Sequence, residues 1–295
     1  MPRFGRVLTA MATPFDPDGA LDAKAAGDLA RWLVDHGNDG LVVAGTTGES
    51  PVLTDEERIE LFRAVRAAVD VPVIAGTTTN DTAHSVAMTE AAAEIGVDGI
   101  LAVTPYYSKP PQSGLVGHFE AVAEASDLPV MLYDVPGRTG RKIATDTLLG
   151  LARDVPTIVA LKDAAGDPAE TGRLIAEAPA GFEVYSGDEP LTLAFLAYGA
   201  VGVVGVATHW TASLQADMFF AFEAGDTAGA RAVNARLLPS YAFMNSDDCV
   251  FSQAVKVMLA ELGQPIGDCR LPLGPAPEGT AERAREVARD LRLLV

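Results

Sequence analysis

Residues 129–163 read PVMLYDVPGRTGRKIATDTLLGLARDVPTIVALKD. An apolar run from Pro129 to Tyr133 gives way to a turn rich in Pro and Gly, then to a longer segment, then to a second apolar run from Thr157 to Lys162. Neither run alternates apolar with polar residues, which is the pattern of a strand buried on both faces. Two such strands joined by a long connection suit a parallel βα unit, because parallel neighbours need a crossover whereas antiparallel ones need only a hairpin.

The same rhythm recurs on either side. Further runs lie at Val7 to Ala12, Gly40 to Ala44, Pro72 to Gly76, Gly99 to Val103, Phe182 to Ser186 and Gly202 to Val206, making eight. Between them stand helical signals. Thr54-Asp55-Glu56-Glu57 is a capping box that opens Glu56 to Ala68, and Leu115 to Ala125 is apolar at Leu115, Phe119, Val122 and Ala123. Eight parallel strands alternating with helices predict a closed (β/α)8 TIM barrel. The open doubly wound sheet is disfavoured, since no Gly-x-Gly-x-x-Gly follows the first strand. Beyond Val206 only helices are expected, at Ala212 to Ala224, Thr227 to Phe243, Phe251 to Leu262 and Ala281 to Leu293, with Gly263 to Gly279 as the connector before the last. The expected organisation is a catalytic barrel over residues 1–224 and a C-terminal helical extension over 225–295.

The chain has 295 residues and a net charge of −18, with 48% hydrophobic residues, which excludes intrinsic disorder and leaves a sizeable core to bury. That acidic balance repels phosphate backbones and anionic lipid, so neither nucleic acid nor membrane is an expected partner. Anionic small substrates stay open, because a local Arg or Lys overrides the global field. No stretch approaches the roughly 18 apolar residues of a membrane span. The run after Arg3 and Arg6 is too short for a secretory signal and is interrupted by Pro14 and Asp16. Cys249 and Cys269 have no CxxC or zinc spacing and read as structural thiols, in keeping with a reducing, cytoplasmic setting. The four histidines form no HxH or HxxxH pair, so no metal and no cofactor is expected.

Barrel chemistry sits at the carboxyl ends of strands, and the unusual residues gather there. Lys162 is one of only five lysines and ends the run Ile158-Val159-Ala160-Leu161. Period two gives it the face of Ile158 and Ala160, which in a barrel points inward. Burial disfavours an ammonium and can leave a free amine that attacks a carbonyl to form a Schiff base; the alternative is a lysine that snorkels outwards or pairs with Asp163. Tyr133 ends the neighbouring strand, either as a core tyrosine or as a phenol that shuttles protons during carbinolamine formation and dehydration. Gly45-Thr46-Thr47-Gly48 offers hydroxyls and closely spaced N–H groups for a carboxylate, or is a plain turn. Within it Glu49 suits fixing the turn better than acid catalysis. Arg138, in Pro-Gly-Arg-Thr-Gly, is either a fork for a substrate carboxylate or a solvated surface residue. Tyr106-Tyr107 sets two aromatics projecting in different directions, which suits packing against a neighbouring subunit for at least one of them.

At these residues the sequence resembles the dihydrodipicolinate synthase (4-hydroxy-tetrahydrodipicolinate synthase) family, within the pyruvate-dependent class I aldolases that include N-acetylneuraminate lyase. The motifs that carry the resemblance are Gly45-Thr46-Thr47-Gly48-Glu49-Ser50, the Tyr133-to-Lys162 strand pair, Thr104-Pro105-Tyr106-Tyr107 and Gly137-Arg138-Thr139-Gly140. The resemblance implies condensation of pyruvate with L-aspartate 4-semialdehyde in lysine and diaminopimelate biosynthesis. It implies Lys162 as the Schiff-base residue and Thr46, Tyr133 and Tyr107 as a proton relay, with Tyr107 supplied by an adjacent subunit of a dimer or of a tetramer of two dimers. Thr47 would hold the pyruvate carboxylate, Arg138 the carboxylate of the aldehyde, and the Val204 carbonyl would line the pocket. A sister aldolase acting on a sugar acid should lack Arg138, and a non-catalytic barrel should lack Lys162 or a relay hydroxyl.

The sequence departs from the family pattern at Ser252-Gln253-Ala254-Val255-Lys256, where Asn-Pro-x-Pro-Val-Lys is common, and at Thr78, where glycine is usual. A third departure concerns feedback. In lysine-inhibited members a glutamate holds the ligand's ammonium at the position of His84, and histidines often stand where this chain has Asp55 and Arg58. An imidazole is a poor partner for an ammonium, so the resemblance implies weak or absent inhibition by lysine.

Overall fold

The computed structural model describes residues 1–246 and 249–294. The expected extension over 225–295 includes residues 247, 248 and 295, which lie outside the described residues. Eight strands, β1 (Val7–Ala10), β2 (Gly40–Val43), β3 (Val73–Gly76), β4 (Gly99–Val103), β5 (Val130–Asp134), β6 (Ile158–Asp163), β7 (Glu183–Ser186) and β8 (Gly202–Gly205), follow one another in sequence order in a closed barrel. β1 pairs with β2, and each strand from β3 to β7 with the next, in parallel, as the unalternating runs require. Five strands, β1, β2, β3, β5 and β8, are buried along their whole length, because both faces of a barrel sheet are covered.

The chain divides into two compact units, residues 1–6 with 72–204 and residues 7–71 with 205 onward. In the first, register sets Val103 beside Tyr133, Tyr133 beside Lys162 and Lys162 beside Tyr185. Thr78, the residue found where glycine is usual, laces β3 to β4: its hydroxyl accepts from Val103 N at 2.7 Å and donates to Val103 O at 3.2 Å.

In the second unit the capping box forms as the sequence predicts. Thr54 Oγ1 accepts from Glu57 N at 3.2 Å, Glu57 Oε2 accepts from Thr54 N at 3.0 Å, and the helix runs Asp55–Ala68. The C-terminal helices run Thr208–Glu223, Thr227–Met244, Phe251–Glu261 and Thr280–Asp290. The first starts four residues before the expected Ala212. Its early turn is fixed by packing rather than by local pattern, with Trp210 Nε1 donating to Ser240 Oγ at 2.9 Å. Gln253, in the variant pentapeptide, is buried and gives its amide N–H groups to the connector carbonyls of Leu273, Gly274 and Pro275 at 3.0, 3.2 and 2.9 Å. A proline-free helix start is thereby tied to the connector through a side chain.

Candidate active site

Lys162 occupies the penultimate position of β6 and is 5% exposed. Its Nζ stands 4.4 Å from the centroid of the Tyr133 ring, itself 6% exposed on the paired strand. Just past β7, a Cβ at Gly187 would come within 2.9 Å of Lys162 Cγ, so glycine leaves the lysine its room. Burial pulls the Lys162 amine down to about 8; the Glu189 carboxylate opposes that shift and the Arg138 charge adds to it. The ion pair with Asp163 is not formed among the described residues. Asp163 alternates to the other face, where its Oδ1 accepts from Ala165 N at 2.9 Å and its Oδ2 from Thr171 Oγ1 at 2.6 Å.

Arg138 lies exposed on the single helical turn Pro136–Thr139 that follows β5. The turn is closed by Arg138 N to Val135 O and Gly140 N to Pro136 O, both at 2.9 Å. Val204, on β8, is fully buried. Tyr107 is not drawn into the chain's own core: it is 90% exposed and held at φ 70°, a left-handed conformation uncommon for a tyrosine. The second unit carries Thr47, 2% exposed, and Thr46, half-buried, in the loop after β2. That loop folds on itself through Glu49 N to Thr46 O at 3.1 Å and Ser50 N to Gly45 O at 3.3 Å.

Two acidic residues matter that sequence reasoning left without a role. Glu189 is 2% exposed and its charge acts on Lys162. The rule that picked out the ends of four strands applied equally to Ser186-Gly187-Asp188-Glu189 after β7. Asp134, register partner of Asp163, is pushed up to about 7 by burial, against a hydrogen bond from Ile143 N at 3.2 Å. His118 and His209 are buried and pulled down to about 4, hence neutral. Both cysteines are free and buried, with burial pushing the Cys269 thiol up to about 12. Among the described residues no group of three or more His, Cys, Asp or Glu could hold a metal ion.

A buried amine with a depressed pKa, beside a phenol and one turn from an arginine, is the equipment of imine chemistry on a carboxylate-bearing substrate. Known proteins are similar to this chain in sequence and in fold. The chain is 49% identical over 296 residues to the 4-hydroxy-tetrahydrodipicolinate synthase of Symbiobacterium thermophilum, covering 100% of both. It is 49% identical over 286 residues to that of Acidothermus cellulolyticus, covering 96% of this chain and 91% of the relative. Among solved structures, the dihydrodipicolinate synthase of Cyanidioschyzon merolae with lysine bound matches with a TM-score of 0.97 at 39% identity, covering 100% of both chains. That of Bacillus anthracis matches with a TM-score of 0.94 at 42% identity, covering 98% of this chain and 99% of the other. The profile of the Dihydrodipicolinate synthetase family spans residues 3–291, nearly the whole sequence. On fold, motif and full-length similarity alike, the chain belongs to the dihydrodipicolinate synthetase family.

Proposed function

We propose that this chain is a lyase of the class I aldolase type that condenses pyruvate with L-aspartate 4-semialdehyde to 4-hydroxy-tetrahydrodipicolinate, with Lys162 as the nucleophile. The observation that carries this reading is the Lys162 amine, buried at the end of β6 against Tyr133 and depressed to about 8. The free amine attacks the keto carbon of pyruvate to give a carbinolamine, and loss of water gives the imine. Removal of a methyl proton then yields an enamine, whose carbon attacks the aldehyde of the second substrate. The amino group of that substrate closes the ring by displacing Lys162, which returns to the free amine. Each stage moves a proton, so a relay of hydroxyls is needed. Tyr133, Thr46 and Tyr107 take that role, Thr47 holds the pyruvate carboxylate, Arg138 binds the carboxylate of the aldehyde, and the Val204 carbonyl lines the pocket.

Supporting a shared site, Tyr107 stands 90% exposed in the single chain with its backbone in a left-handed conformation. A partner subunit would receive it, making the working unit a dimer or a tetramer of two dimers. Residues 1–224 form the catalytic barrel in this reading and 225–295 an accessory helical extension, in a cytoplasmic enzyme. No helix among the described residues is long and apolar enough to cross a membrane.

The test is a mixing experiment with pyruvate and each candidate aldehyde. Turnover with aspartate semialdehyde and not with sugar aldehydes is expected. Preference for a sugar aldehyde would overturn the assignment.

A further inference from the structure

Glu49 and Lys256 form an ion pair, Oε1 to Nζ at 3.0 Å, with their side chains 2% and 3% exposed. A buried pair seldom adds stability over apolar residues of the same volume, because desolvating two charges offsets their attraction. Its position gives it another use. Glu49 directly follows Thr46-Thr47-Gly48 and is held at φ 57°, a left-handed conformation that a glutamate keeps only when its surroundings fix it. Its second carboxylate oxygen accepts from Arg270 N at 2.9 Å, and its own N–H donates to Thr46 O at 3.1 Å.

The loop is gripped from the other side as well. Thr13 Oγ1 donates to Gly48 O at 2.6 Å, and a Cβ at position 48 would come within 2.9 Å of Met11 O. Lys256 is itself anchored, donating to Asp268 O at 2.9 Å and standing 4.2 Å from the Phe15 ring centroid. Arg270 stands 4.1 Å from the same ring and reaches Val52 O at 3.0 Å and Glu57 Oε2 at 2.8 Å. The helix Phe251–Glu261 and the connector after it therefore both reach the threonine loop at Glu49.

We propose, resting on the roles given above to Thr46 and Thr47, that Glu49 held by Lys256 is the positioning residue that sets those two threonines for pyruvate. A loop of small residues between glycines has many conformations, and choosing one in advance lowers the ordering cost when substrate binds. Glu49 and Lys256 touch no substrate in this scheme. They act on pyruvate through the threonines, which makes substrate affinity the sensitive quantity.

Glu49→Gln and Lys256→Met should each raise the pyruvate KM about tenfold or more, the order of effect expected when a reacting group is misplaced by a fraction of an ångström. The pH midpoint for trapping the pyruvate adduct with borohydride belongs to the surroundings of Lys162 and should stay at its wild-type value. A pair that merely supports the fold would lower the thermal midpoint and leave the pyruvate KM unchanged, overturning the proposal. Each single variant strands a buried charge and can unfold, so the double variant Glu49→Gln/Lys256→Met, which strands none, carries the decision. It should recover thermal stability while its pyruvate KM stays raised. Recovery of both, with the adduct still mapping to Lys162 in the wild type, refutes the positioning role alone. Absence of an adduct from wild-type Lys162 refutes the reading of the reaction and the positioning role with it.

Discussion

Replacing Glu189 by Gln should move the pH at which Lys162 becomes reactive, and the direction is fixed by the charges around it. In the folded chain burial brings the Lys162 amine from 10.5 to about 8, with Glu189 pulling the other way. At pH 7 a pKa of about 8 leaves about one tenth of the lysine as free amine, against about 0.03% for an unperturbed lysine, a gain of about 300-fold in nucleophile. Glu189→Gln removes the carboxylate that favours the ammonium, so the midpoint falls; a fall of one unit would bring the free fraction at pH 7 to about one half. Arg138→Ala removes a charge that disfavours the ammonium, so the midpoint rises. The assay is the initial rate of borohydride trapping at saturating pyruvate, followed between about pH 6 and pH 10 for the three proteins. Movement of both variants in one direction, or an upward shift with Glu189→Gln, would refute the electrostatic account of Lys162. The same shift marks stability: the unfolded chain binds the extra proton between about 8 and 10.5, so the Lys162 contribution to stability rises with pH across that window.

Arg138→Ala should weaken use of aspartate semialdehyde much more than that of pyruvate, seen as a raised KM for the aldehyde with adduct formation retained; equal effects on both substrates would remove the carboxylate-clamp role. Mixing Tyr107→Phe with Lys162→Ala subunits should restore part of the activity that each lacks, because some sites then receive both intact residues, and no recovery despite demonstrated subunit exchange would contradict a shared site. Lysine titrated far above physiological levels should inhibit weakly or not at all, since His84 offers an imidazole rather than a carboxylate to an ammonium; strong, saturable inhibition would show that another carboxylate serves.

The barrel was legible in the sequence because its strands are buried on both faces and so announce themselves as apolar runs, each recovered to within about two residues. Lys162 was legible for the same reason: a charged residue in phase with Ala160 and Ile158 stands out. Its environment was not. Glu189 acts on it from beyond another strand, at a distance that no local pattern encodes, and the choice between a free amine and a pair with Asp163 turned on where Ala165 and Thr171 place their donors. The helix begins at Thr208, ahead of the expected Ala212, because tertiary packing of Trp210 and Thr208 overrides the β-branched and aromatic make-up of Val206-Ala207-Thr208-His209-Trp210. Glu49 was expected to fix its turn, but its partner Lys256 lies in a helix far along the chain. Such long-range pairings are set by the fold, and the sequence supplies only their two halves.

The central claim is that the Lys162 amine carries pyruvate as an imine. Incubation with pyruvate and borohydride, followed by proteolysis and mass mapping, tests it directly, because the imine is the reducible linkage the mechanism forms. The account predicts a single pyruvate-derived adduct on the peptide containing Lys162, lost in Lys162→Ala while that variant stays folded. An adduct on Lys24, Lys109, Lys142 or Lys256 instead, or none at all, would contradict it.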